Sequence, residues 1–88
     1  MTDRLSCCAP FCRRTRGDRK GDPLTPGMEW LCAEHWRLVP IRIKRRRAKL
    51  RRMLRRATDP HRRGRIIYAD GILWNACKRE AIERAAGI

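Results

Sequence analysis

The chain has 88 residues and a mass of 10.4 kDa, room for one small domain or a mini-domain with a tail. It carries 23 Lys and Arg against 9 Asp and Glu, a net charge of +14 and a sequence pI near 11.3. No apolar run reaches the roughly 18 residues that a membrane-spanning helix needs, and the start Met1-Thr2-Asp3-Arg4-Leu5-Ser6 lacks the apolar stretch of a secretory signal.

These features lead to the expectation of a cytoplasmic or nucleoid-associated protein. A domain this short seldom buries enough apolar surface to offset its conformational entropy without a staple. Five cysteines stand at positions 7, 8, 12, 32 and 77. An odd number with no secretory signal favours metal binding over a disulfide framework.

The charge divides the chain in three. Residues 1–40 carry a net charge of +2, residues 41–58 carry ten cations and no acid, and residues 59–88 again carry +2. The first segment holds the metal-ligating residue types. Cys7-Cys8-Ala9-Pro10-Phe11-Cys12 offers one thiol pair, C-x3-C from Cys8 or C-x4-C from Cys7. After a Gly- and Pro-rich stretch, Trp30-Leu31-Cys32-Ala33-Glu34-His35-Trp36 offers a C-x2-H pair. A helix starting near Cys32 sets Cys32 and His35 at i and i+3 on one face, within reach of one ion. Zinc takes four such donors in a tetrahedron. The intervening Arg13–Leu31 segment predicts an irregular β-hairpin between the two ligand pairs.

This order of knuckle, hairpin and ligands at a helix start resembles the treble-clef and zinc-ribbon group of zinc fingers over residues 7–38. The resemblance implies one structural Zn2+ on Cys8, Cys12, Cys32 and His35. The first spacing is longer than the family's C-x2-C and Arg13 follows it, so Cys7 stands as the alternative to Cys8. The run Trp30–Pro40 followed by an Arg-rich helix also resembles small zinc-finger proteins of bacterial prophages.

Catalytic patterns are poorly represented. Neither H-E-x-x-H nor the H-x-E with C-x2-C of zinc deaminases occurs, and residues 13–31 contain no histidine for a His-Asn-His nuclease. His61, in Asp59-Pro60-His61-Arg62-Arg63-Gly64, reads as a solvated loop histidine. The expectation is a protein that is not an enzyme.

Pro40 suits a helix start, and Ile41–Ala57 has neither Gly nor Pro, which predicts a helix about 25 Å long. Ile43, Leu50, Met53, Leu54 and Ala57 share an arc of about 100° on a helical wheel. Lys44, Arg45, Lys49, Arg51, Arg52, Arg55 and Arg56 fill the opposite arc. Arg46 intrudes on the apolar stripe and is expected to snorkel or to meet an acid, with Glu80 and Glu83 as candidates for it or its neighbours. Seven cations on one face exceed what the chain's own acids can neutralise locally, so an external polyanion is the expected partner. Arg outnumbers Lys eight to two across 41–58, which suits phosphate and guanine contacts. An anionic membrane surface or an acidic protein is the second reading, a merely solvated face the third.

Asp59-Pro60 predicts a cap and a first helical residue for a second helix over 61–86, open to a break at Asp70-Gly71. Leu73, Trp74, Cys77, Ala81 and Ala85 gather on one face, expected to pack against Leu50, Met53 and Leu54, with Cys77 as a buried thiol. The expected architecture is small α+β and mostly helical. A zinc-finger head over 1–39 is joined to a basic antiparallel helical hairpin over 40–88 in one compact unit. The expected function is zinc-stabilised nucleic-acid binding, with DNA ahead of RNA, in a phage-type regulatory factor. The rivals are a protein adaptor or inhibitor docking on a nucleoprotein machine such as RNA polymerase and, behind it, a small metal-dependent nuclease.

Overall fold

A computed structural model of the chain describes residues 4–87. The elements in order are β1 (Leu5–Ser6), β2 (Thr15–Arg16), α1 (Ala33–Trp36), α2 (Ile41–Arg56) and α3 (Pro60–Ala85). The fold is small α+β, with one two-stranded antiparallel ladder and two long helices packed against each other.

The ladder pairs Leu5 with Arg16 and Ser6 with Thr15, and Cys7 N–H extends it by donating to the Arg14 carbonyl at 2.9 Å. The hairpin therefore encloses the first cysteine cluster, whereas the sequence predicts it over Arg13–Leu31, between the two ligand pairs. Beyond Arg16 the loop holds only the isolated Arg19–Asp22 bridge among the described residues. Residues 17–31 lack the alternating apolar positions that cross-strand pairs require. A buried guanidinium organises this loop instead. Arg16, 4% exposed, donates from Nη1 to the Asp22 carboxylate at 3.0 Å, and its other nitrogens reach the backbone carbonyls of Asp22 and Gly17. Gly21, at φ 82°, supplies the left-handed turn residue that the bridge needs.

α1 is a single turn with Cys32 at its N-cap, closed by Trp36 N–H to Cys32 carbonyl at 2.9 Å. Pro40 keeps an extended ψ of 138° and hands the chain to α2, which ends one residue before the predicted boundary because Ala57 is extended. Asp59 caps α3, its carboxylate accepting from Arg62 N–H at 2.9 Å, with Pro60 in the first turn. The connection 57–59 is held by Arg63, whose Nη1 donates to the Leu54 and Ala57 carbonyls at 2.7 and 2.8 Å.

α3 runs unbroken through Asp70 and Gly71. Glycine in a helix interior costs about 1 kcal/mol relative to alanine, too little to interrupt a helix packed along its length. Asp70, where the sequence left a break open, accepts from Arg47 of α2 at 2.9 Å.

The core lies off the line between the long helices. Cys7, Ala9, Leu31, Cys32 and Val39 of the head pack on Cys77 and Ala81 of α3, with Trp30, Trp36, Ile43, Trp74 and Ile82 around them. α2 packs along α3 as expected but contributes no buried residue, and Leu50, Met53 and Leu54 are only half-buried. Two helices alone cover only the seam between them. Apart from Ile66, which is buried along the helix seam itself, the buried apolar side chains lie where the head adds a third wall.

Candidate metal centre and basic ridge

β1 delivers Cys7 and Cys8 at the start of the knuckle, and extended backbone turns consecutive side chains to opposite sides. Cys7 is buried and faces inward. Cys8 is half-buried on the other side, where its Sγ lies 3.9 Å from Glu29 Oε2 and its N–H donates to the Trp30 carbonyl at 2.8 Å. The turn Ala9–Cys12, closed by Cys12 N–H to Ala9 carbonyl at 3.0 Å, swings Cys12 back beside Cys7. α1 supplies Cys32 and His35 from one side of its single turn.

The donor atoms of Cys7, Cys12, Cys32 and His35 lie within 4.8 Å of one another. Cys7 thus takes the place that the family resemblance assigned to Cys8. Tetrahedral zinc sets its donors roughly 3.6–3.8 Å apart, from the usual Zn–S and Zn–N lengths. The Cys12–Cys32 sulfur separation is 3.9 Å and Cys7 Sγ to His35 Nδ1 is 3.7 Å, close to those edges. Cys32 Sγ to His35 Nδ1 is tighter, at 3.0 Å, a thiol–imidazole hydrogen bond. Three thiols through Sγ and the His35 imidazole through Nδ1 form a donor set that can hold a metal ion.

Electrostatics favour a thiolate at Cys32. Burial alone pushes its pKa up, but hydrogen bonds from the His35 backbone and ring, Cys7 and Cys12 outweigh this and bring it to about 6. Cys8, by contrast, is raised, chiefly by desolvation. Glu34, between the two α1 donors in sequence, points away and pairs with Arg14 at 2.9 Å on the surface. His61 lies exposed in the first turn of α3 rather than in a loop, and it is not part of the cluster.

The cations of α2 split into two groups. Arg45, Lys49, Arg51, Arg52, Arg55 and Arg56 are exposed, and none forms an ion pair among the described residues. Lys44 is drawn inward, with Nζ 5.0 Å from the centroid of the Trp36 ring. The cation that meets an acid is Arg47 and not Arg46, and the acid is Asp70; Glu80 bonds Arg84 within α3 at 3.1 Å.

One junction escaped the sequence reading. Glu29 accepts from Lys78 Nζ at 2.8 and 2.9 Å and from Trp74 Nε1 at 3.2 Å, tying the loop before the second ligand pair to α3. Partners 45 and 49 residues apart leave no local pattern. The opposed faces of Cys7 and Cys8 did carry a signal, the period of two in an extended segment.

No protein-family model matches the chain, and comparison with curated proteins and with solved structures likewise finds no match.

Proposed function

We propose that the protein binds nucleic acid without catalysing a reaction. One structural zinc ion on Cys7, Cys12, Cys32 and His35 rigidifies the head, and α2 contacts the phosphate backbone. The observation that carries this reading is the row of exposed cations on α2, Arg45, Lys49, Arg51, Arg52, Arg55 and Arg56, with no acid of the described chain paired to it. Like charges spaced i, i+4 destabilise a helix, and an external polyanion relieves that repulsion. Lys44 stands at the ridge's inner edge, steadied by Trp36.

Four protein donors fill a tetrahedron and leave no position for a reacting water, which supports a structural over a catalytic metal. The succession of a cysteine knuckle and a Cys-x2-His pair at a helix start supports a treble-clef or ribbon type of finger. Duplex DNA is the favoured ligand, with Arg47, bound to Asp70, holding α2 against α3 while its neighbours reach outward.

The test is a binding titration of the zinc-loaded protein on duplex DNA at several salt concentrations. Neutralising about five phosphates predicts that log K falls with log salt at a slope near −4.5. Arg52→Glu with Arg55→Glu should flatten that slope and weaken binding to every duplex sequence alike. A salt-independent affinity, or none, overturns the reading.

A further inference from the structure

The α2–α3 hairpin has two sides. The head closes one through Trp36 and Trp74, which pack against the core. On the other side lies an open groove of about 420 Å3, whose apolar floor is Leu50 and Met53 of α2 with Ala69, Ile72 and Leu73 of α3. A second depression continues it past Ile66 toward the 57–59 turn. At its lip Ile72 is 55% exposed. Large apolar side chains grouped in a concavity mark an interaction surface rather than scattered surface residues.

Both walls carry the same sign of charge. Arg46 and Lys49 rise from α2, and Arg62 and Arg65 from α3. α2 has no acid, and the one acid between residues 62 and 73, Asp70, is engaged by Arg47. An occupant must therefore be apolar along its centre and anionic along both flanks. We propose that this groove receives an amphipathic helix of a partner protein, with an apolar row at i, i+3/i+4 and i+7 and Asp or Glu on either side. Such a helix would complete a three-helix layer and cover Ile72.

The charges select against the other occupants. A second copy of this chain would bring the same four cations, on a body of net charge +14, against themselves. A phosphate backbone satisfies the cations but leaves Leu50, Met53 and Ile72 in water. A bilayer takes apolar side chains projecting from a convex face, whereas these line a depression between two helix axes.

The experiment uses the full zinc-loaded chain and a fluorescein-labelled synthetic peptide with leucines at i, i+3, i+4 and i+7 and glutamates elsewhere. A scrambled peptide of identical composition is the control. The ordered peptide should bind and shift the amide resonances of Leu50 and Met53 and of residues 65–73, none of which belongs to the ridge. Ile72→Gln and Arg65→Glu, both at exposed positions, should each weaken it by roughly tenfold or more. Equal binding of the scramble, shifts confined to the exposed ridge, or no binding overturns the proposal. So does self-association abolished by Ile72→Gln in sedimentation, or capture by phosphatidylserine vesicles that Ile72→Gln abolishes while the peptide leaves the groove resonances unmoved. Duplex DNA titrations on the same two variants read the ridge separately, since neither residue belongs to it.

Discussion

The guanidinium of Arg47 lies 4.8 Å from the centroid of the Trp74 ring while its Nε donates to Asp70 at 2.9 Å. One cation thus joins α2 to two points on α3, a turn apart, and both members of the ion pair are mostly shielded from water. Asp70→Ala should lower stability by about 1–3 kcal/mol, because it leaves a shielded charge without its acceptor. Arg47→Lys should also destabilise, since an ammonium cannot stack flat on the indole and donate sideways at once. Urea denaturation measures both, and an unchanged midpoint in either would refute the assignment.

The two adjacent cysteines separate cleanly in a metal assay. Cys7→Ser should lose stoichiometric zinc, whereas Cys8→Ser should retain it, because only the first faces Cys12, Cys32 and His35. Chelation should lower the melting temperature of the parent protein. Zinc retained by Cys7→Ser and lost by Cys8→Ser would restore the assignment that the family resemblance implies.

Ala81 is fully buried where α3 meets the head. Ala81→Leu should cost about 1–3 kcal/mol through overpacking. The resonances of Cys7, Leu31 and Cys32 should broaden before those of α2 do, a pattern that heteronuclear spectra of the variant would reveal or deny.

Local chemistry made much of the fold legible. The cap at Asp59, the first-turn Pro60, the Pro40 boundary and the amphipathic run of α2 all depend on neighbours within a turn, and each stands where local rules put it. Cys32 and His35 align for the same reason, since the single turn of α1 sets its two donors side by side, whereas Cys12 meets them across 20 residues and was legible only through its residue type. What depended on distant partners did not show. The choice of Arg47 over Arg46 turned on where Asp70 falls along α3, and the core turned on the head leaning against Cys77 and Ala81. Asp70-Gly71 looked like a breaker because its tertiary partner lies 23 residues upstream.

Gly71 sits exposed inside α3, with open space where a Cβ would go. Gly71→Ala should stabilise the protein by about 0.5–1 kcal/mol. In a domain of this size 1 kcal/mol corresponds to roughly 4–8 °C in melting temperature. A fall in stability would show that the helix needs flexibility there.

Glu29 links acidity to the loop–α3 junction. The hydrogen bond from Lys78 above all, and then that from the Trp74 indole, holds its carboxyl below the ordinary value of 4.5. A depressed folded-state pKa contributes stability that is full above the ordinary value and is lost as pH falls through the folded one. The difference in unfolding free energy between the parent and Glu29→Gln should therefore be constant near neutrality and shrink on acidification below 4.5. Comparing the two proteins at each pH cancels ion loss common to both, and a difference that stays constant into strong acid would contradict the linkage.

The head's inner wall is made of residues 77–82, far downstream in translation order. A nascent chain therefore exposes Leu31, Cys32 and Val39 until the end of α3 has cleared the ribosome. The four metal donors all lie within residues 7–35 and can meet an ion early, but the apolar wall behind them is complete only once α3 has been made.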